Sequence, residues 1–206
     1  MQHRHFWTLR LRVTPDTLIP RPETEHVVEQ MLRSLPADQP CVVADLGTGC
    51  GAIALALAQE RPLWQVYATD RSAKALAVAQ DNAVQHTLNN VRFFCGDWYA
   101  ALPPDCRCDA IVSNPPYIAE DDPHLAQGDL RFEPQTALVS SREGMSDLLY
   151  LMDNAGAHLK SQGHLWLEHG ADQKEAVAMG LRRAGFAAIK HYQDYEGHDR
   201  VSHAHY

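Results

Sequence analysis

Asp45-Leu46-Gly47-Thr48-Gly49-Cys50-Gly51 is the stretch that decides the fold. It follows the apolar run that begins at Cys41 and opens into Ala52-Ile53-Ala54-Leu55-Ala56-Leu57-Ala58. A short apolar run ending in an acid and glycines reads as a buried parallel strand. A segment that is apolar nearly all round reads as a buried helix. The same alternation continues outward. Gln65 to Thr69 reads as a strand, followed by a helix from about Ser72 with Leu76, Ala79 and Ala83 on one face. Val91 to Cys95, Ala110 to Ser113 and His164 to Glu168 read as further strands. Leu148, Leu151, Met152, Ala155 and Leu159 repeat at helical spacing up to Gly163, a candidate helix stop. Asp172 with Glu175 has the form of a capping box, and Phe186 to Tyr192 and Arg200 to Tyr206 read as two closing strands. Upstream, Phe6 to Val13 alternates as one strand with a wet face, and a proline-punctuated loop leads to an amphipathic helix over Val27 to Leu35. Alternating strands and helices predict an α/β fold whose mostly parallel sheet is covered on both faces. Such sheets bind ligands beyond the carboxyl ends of the strands, where the strand order reverses.

Composition narrows the function. The chain has 206 residues with 45% hydrophobic and 21% charged residues, ordinary for a globular protein. Lys plus Arg is 18 against 26 Asp plus Glu, a formal net charge of -8. Tracking a phosphate backbone calls for a basic surface, so no direct nucleic-acid partner is expected. No apolar run approaches the ~20 residues of a membrane span, and the opening Met1-Gln2-His3-Arg4-His5 lacks the apolar stretch of a secretory signal. Cys41, Cys50, Cys95, Cys106 and Cys108 show no disulfide framework and read as reduced thiols of a cytoplasmic protein. Cys106-Arg107-Cys108 lacks zinc-site spacing, no HExxH occurs, and His203 and His205 read as solvated side chains of a terminal strand. No metal is expected.

The glycines of the decisive stretch are spaced GxGxG, unlike the GxGxxG of a dinucleotide fingerprint. A pyrophosphate needs amides aimed from a helix N-terminus. S-adenosylmethionine has no phosphate and needs only a backbone that can come close, which glycines at 47, 49 and 51 permit. A tight turn without a ligand is the competing reading. Asp70, at the end of the second strand, can accept the ribose hydroxyls or cap the next helix. Asp97 ends the third strand and can take the adenine amino group. Trp98 beside it either contacts the base or packs in the core. Acids at successive strand ends (Asp45, Asp70, Asp97) suit a cationic sulfonium better than a nucleoside diphosphate.

Ser113-Asn114-Pro115-Pro116-Tyr117 follows the fourth strand. Two prolines there donate no hydrogen bonds and stiffen the loop. Methylating a planar amide or an exocyclic amine calls for such a rim, because the nitrogen lone pair is delocalised. The Asn114 side-chain oxygen and the Pro115 carbonyl can hold both N–H hydrogens, aim the nitrogen, and stabilise the positive charge that develops on it. Tyr117 can stack on the flat group.

Taken together, these motifs and the upstream Ile19-Pro20-Arg21-Pro22-Glu23-Thr24-Glu25 resemble the release factor glutamine methyltransferases. Arg131-Phe132-Glu133-Pro134 and Leu167-Glu168-His169-Gly170 extend the likeness over Phe6 to Tyr206. The resemblance implies a Rossmann-like class I methyltransferase, doubly wound, with a seven-stranded sheet and an antiparallel last strand. A short N-terminal β extension and helix (residues 1–35) would pack on a catalytic domain (36–206). It implies methyl transfer from S-adenosylmethionine to the glutamine amide nitrogen of the Gly-Gly-Gln loop of class I peptide chain release factors. Cofactor contacts would carry over to Gly47, Thr48, Gly49, Cys50, Gly51, Asp70, Trp98 and Asn114, and glutamine contacts to Asn114, Pro115, Pro116 and Tyr117. The Arg21–Thr24 segment would lie over the mouth of the site; on its own chemistry it reads as a helix N-terminus, outside the catalytic set. Family members usually carry a small helical domain before this part, which the reading takes as missing here. Val139-Ser140-Ser141 stands where many relatives have Phe-Gly-Gly. The alternatives are a methyltransferase for an exocyclic amine of DNA or RNA and a non-catalytic cofactor-binding subunit.

Overall fold

The computed structural model describes residues 2–126, 128 and 130–206. Strands β1 (Gln2–Phe6) and β2 (Leu9–Val13) form an antiparallel hairpin. The alternation over Phe6 to Val13 predicts one strand. Instead Trp7, in the left-handed region at φ 56°, reverses the chain. Helix α1 (Glu25–Ser34) follows, then β3 (Val42–Leu46), α2 (Ala52–Glu60), β4 (Gln65–Asp70), α3 (Ala73–Gln85), β5 (Val91–Cys95) and β6 (Cys108–Ser113). The second half contains α4 (Ser146–Ala155), β7 (Leu159–Glu168), α5 (Lys174–Arg183), β8 (Ala187–Gln193) and β9 (Asp199–His205). The seven-stranded sheet runs β5-β4-β3-β6-β7-β9-β8, and β9, the last strand in sequence, is antiparallel to both neighbours.

Each face buries its own core. The hairpin, α1 and α2 cover one face through Phe6, Leu11, Val27, Met31 and Leu55, over Val43 and Trp166. Helices α4 and α5 cover the other through Leu148, Leu151, Val177 and Leu181, over Ile111 and Leu165. Helix α2 is buried over Ala52 to Ala58, as its composition requires. Helix α3 starts at Ser72, whose hydroxyl accepts from the Ala75 N–H at 3.2 Å.

Three local expectations fail for identifiable reasons. Helix α4 stops at Ala155 and not at Gly163, because Leu159 pairs with Cys108 of β6 and so belongs to the sheet. Gly163 then lies inside β7. Helix α5 is capped at Gln173 without a side-chain cap bond, not by a box from Asp172. His203 is not solvated: it is 2% exposed, because its side of β9 stacks on Trp166 with ring centroids 3.8 Å apart.

Candidate active site

The strand order reverses between β3 and β6, and Leu46 registers with Ser113, so the glycine loop and Asn114 leave the sheet side by side. The Ser113 hydroxyl donates to the Leu46 carbonyl at 2.7 Å, joining the two exits. Asp45 turns inward. Its Oδ2 accepts from the Thr48 hydroxyl at 2.6 Å and from the Ala54 N–H at 3.1 Å, so it ties the loop to α2. Burial pushes its carboxyl up to about 7. The Asp70 carboxylate accepts from the Gly49 N–H at 2.9 Å and the Ser72 N–H at 2.8 Å. These amides favour its ionised form, but burial is the larger effect and leaves its pKa raised.

Gly49 sits at φ +57°, and a Cβ there would meet nothing within 4 Å, because that side of the loop opens into a cleft. The cleft holds about 350 Å³ and is bordered by Gly47, Gly49, Asp70, Asp97, Trp98, Asn114 and Pro116, along with Leu18 and Val139. The Trp98 ring closes against Gly47, where a Cβ would lie 3.0 Å from the indole. Trp98 itself holds a left-handed φ of 44°, the kind of strain that concentrates at ligand clamps. Asp97 is exposed at the cleft edge. Thr48 and Cys50 border a smaller recess that shares Leu18, Gly47, Gly49 and Asn114 with the cleft. Cys50 is buried and its thiol is pushed up to about 12 by burial, so it is inert as a nucleophile. A Cβ on Gly51 would press on Leu55 and Ala79.

Asn114 borders the cleft, and its Nδ2 donates to the Thr24 Oγ1 at 3.2 Å. With Nδ2 so engaged, Oδ1 is the amide atom left to face a ligand. Thr24 stands near enough to Glu168 to favour its ionised form, and the Tyr117 hydroxyl donates to Glu168 Oε1 at 3.3 Å. Glu168, at the end of β7 and 1% exposed, therefore lies beneath the proline rim. Its Oε2 is buried without a partner, and burial pushes its carboxyl up to about 7. Burial likewise raises the Tyr117 hydroxyl. Tyr117 and Pro115 border a second recess on the Glu168 side, while Pro116 faces the main cleft. Among the described residues no hydrogen bond ends on the Pro115 carbonyl. The Tyr117 carbonyl accepts from Gln173 Nε2 at 3.0 Å.

Sequence reasoning missed Thr24 and Glu168 as site residues. Both stand in motifs that carried the family resemblance, yet spacing alone placed neither beside Asn114.

The rim is held from outside as well. Glu133, 7% exposed, accepts from the Ile19 N–H at 2.9 Å and pairs with Arg21, which holds the Ile19–Glu25 segment beside the smaller recess. In the loop after Val139, Arg142, Glu143 and Gly144 are all left-handed. A Cβ on Gly144 would lie 2.1 Å from the Tyr117 carbonyl oxygen, so the two loops touch backbone to backbone. Gly144→Ala is expected to push the proline rim out of place. Thermal denaturation should show a lowered Tm, and turnover should fall more steeply than the affinity for a ligand in the cleft. Native values for all three would mean that this contact does not hold the rim.

A doubly wound sheet with β9 inserted antiparallel, and a glycine-lined cleft at the reversal of strand order, defines a methyltransferase of the Rossmann-like class. Solved structures agree on the fold: a methyltransferase from Pyrococcus furiosus has a TM-score of 0.70 at 18% identity, with 96% of this chain and 88% of that chain covered. The Thermus thermophilus 16S rRNA N2 G1207 methyltransferase, in complex with AdoMet and guanosine, gives 0.69 at 19% identity over 99% of this chain and 49% of that one. The family described as "Methyltransferase small domain" matches residues 24–130. The release factor glutamine methyltransferase of Xylella fastidiosa strain Temecula1 is 56% identical over 97% of this chain and 72% of its own length. That of Escherichia coli K12 is 49% identical over 97% of this chain and 71% of its length. The chain belongs to the release factor glutamine methyltransferase family.

Proposed function

We propose that this protein transfers a methyl group from S-adenosylmethionine to the side-chain amide nitrogen of the glutamine in the Gly-Gly-Gln loop of class I peptide chain release factors. The observation that carries the reading is the Asn114 amide. Its Nδ2 is held by Thr24, which leaves Oδ1 as a fixed acceptor at the cleft. The names of the Xylella and Escherichia relatives support the substrate.

The residues present fit the cofactor. Gly49 leaves an open side where a nucleoside could approach the backbone, Asp70 is oriented by two amides for the ribose hydroxyls, and Asp97 and Trp98 stand where adenine would end. Bound there, S-adenosylmethionine supplies an electrophilic methyl carbon on a sulfonium. The chain's part is to position and to stabilise. Asn114 Oδ1 and the Pro115 carbonyl accept the two N–H hydrogens of the glutamine amide, which turns the nitrogen toward the methyl carbon. With the cofactor bound, both acceptors would stabilise the positive charge that methyl transfer develops on the nitrogen. The N-methylated amide cation is acidic enough to lose its extra proton to water, so no strong base is needed. Pro115 and Pro116 prevent the rim from relaxing. Tyr117, tied to Glu168, flanks the entering side chain. No metal enters this scheme.

In this reading residues 1–35 form an extension packed on a catalytic domain of 36–206. Class I release factors are the partner, and neither a membrane nor nucleic acid is engaged. Among the described residues no helix is long and apolar enough to cross a membrane. The five cysteines are unpaired, as suits the reducing cytoplasm proposed here. Mass spectrometry of a release factor incubated with the chain and S-adenosylmethionine tests the substrate. One added methyl on the Gly-Gly-Gln glutamine, abolished when that glutamine is replaced, is the expected result. Labelling of RNA or DNA with none on the release factor would instead assign the site to an exocyclic base amine.

Gly49→Ala is expected to weaken cofactor binding, because the new methyl group would point into the cleft and the left-handed backbone is strained by roughly 1 kcal/mol for a non-glycine residue. Calorimetry showing unchanged affinity would remove Gly49 from the cofactor cradle.

A further inference from the structure

At the end of the sheet away from the cleft, three imidazoles meet on one face. His203 and His205 stand two apart on β9, and His164 stands directly opposite His205 on antiparallel β7. Residues two apart on a strand share a face, and directly opposed residues have Cβ atoms about 5 Å apart, so this pattern brings three side chains to one point. One ring nitrogen from each lies within 4.8 Å of the other two. His164 and His203 are in hydrogen-bond contact, Nδ1 to Nε2, at 2.9 Å.

We propose that His164, His203 and His205 form a binding site for a divalent transition cation of the zinc, nickel or copper class, separate from the methyl-transfer cleft. Three neutral imidazoles are a ligand set for these ions, and three histidines with an open fourth position are a known zinc arrangement. The second observation is the state of His203. Its Nε2 is engaged by His164, while its Nδ1 is buried without a partner. A buried ring nitrogen without a partner is costly in a solved core. His203 is fixed from the other side by its stack on Trp166, which orders one ligand before an ion arrives. His164 and His205 are only part-buried, which leaves the ion a path in.

The cluster shares no residue with the cleft: His164 registers with Ala110 at the middle of β6, whereas Asn114 lies beyond the strand's end. Cation binding is therefore expected to leave S-adenosylmethionine affinity unchanged, which gives an independent check on folding.

The test uses the full chain without an affinity tag, stripped with a chelator and titrated with Zn²⁺ by calorimetry. In parallel, Cu²⁺ quenching of tryptophan fluorescence reports on Trp166. Expected are one equivalent of saturable Zn²⁺ binding and a raised Tm with zinc. His205→Asn should weaken the binding at least tenfold, and His164→Ala should do the same. His203→Gln should abolish it and lift the copper quenching. His205→Asn alters a part-buried position, so it keeps the test decisive even where His203→Gln fails to fold. Non-saturable binding, or equal affinity in the native chain and the His205→Asn and His164→Ala variants, overturns the proposal.

Discussion

Asn114→Ala is expected to lower kcat by about 10²–10³-fold, the loss seen when one preorganised partner of developing charge is removed from an active site. Cofactor affinity should stay within about threefold, because an interaction made in the transition state leaves ground-state binding nearly untouched when lost. The physical reason lies in what the substrate amide needs. Its nitrogen lone pair is shared with the carbonyl, and only a geometry that fixes both N–H hydrogens presents it to an electrophile. Oδ1 of Asn114 is one of the two acceptors, and it is aimed because Nδ2 is anchored on Thr24 at 3.2 Å. Alanine removes the acceptor and leaves the Thr24 hydroxyl without its Asn114 partner. A single-turnover rate and a calorimetric Kd on the same variant separate the two effects. An unchanged rate would remove Asn114 from the chemistry, and a rate lost in step with affinity would make it a binding residue only.

The second large effect concerns Glu168. Burial pushes its carboxyl up to about 7, the hydrogen bonds from Thr24 and Tyr117 and the Arg200 charge pull it down, and the charge of Glu23 pushes it up. When Glu168 is ionised, the Thr24 hydroxyl donates to it and keeps a lone pair for Asn114 Nδ2. When Glu168 is protonated, its own O–H can donate to Thr24, whose hydrogen is then free to point at Asn114. The amide now gains by turning Oδ1 away from the cleft. Turnover should therefore rise with pH through about 7, falling roughly tenfold for each unit below it as the ionised fraction falls. Glu168→Gln should give a low rate with no such step, since the glutamine NH2 donates toward Thr24 at every pH.

Stability carries the opposite sign. The folded pKa lies above that of an unfolded carboxyl, so the contribution of Glu168 is fully present below the unfolded pKa and is lost as pH rises through about 7. The Tm advantage of Glu168→Gln over the native chain should thus grow from pH 5 to pH 8. A step at pH 7 that survives in the glutamine variant would mean another group sets it. Asp45, raised to about 7 by the same cause, is the group to examine then.

The fold was legible where a strand or helix carries its reason locally. The apolar run closed by Asp45 and the glycines, and the all-apolar α2, became β3, its loop and the buried helix. The sequence misled where a distant pairing decides. Leu159 has helical spacing from Ala155, yet β6 claims it through Cys108. His203 alternates like a wet-face residue, yet its face is covered by Trp166. The site divides the same way. Gly47, Gly49, Asp70, Asp97, Trp98, Asn114 and Pro116 converge on one cleft because each follows a strand end near the point where the order reverses. Thr24 and Glu168 were invisible as site residues because they reach Asn114 and Tyr117 across three separate segments. Only the placement of β7 beside β6 brings Glu168 under the rim.

The most direct measurement is a crystal structure of the chain with S-adenosylhomocysteine and a peptide carrying the Gly-Gly-Gln loop. The glutamine amide nitrogen should lie within ordinary hydrogen-bond distance, about 2.7–3.2 Å, of both Asn114 Oδ1 and the Pro115 carbonyl oxygen, and face the cofactor sulfur. A glutamine amide held by other groups, with those two oxygens turned from the cleft, would contradict the account.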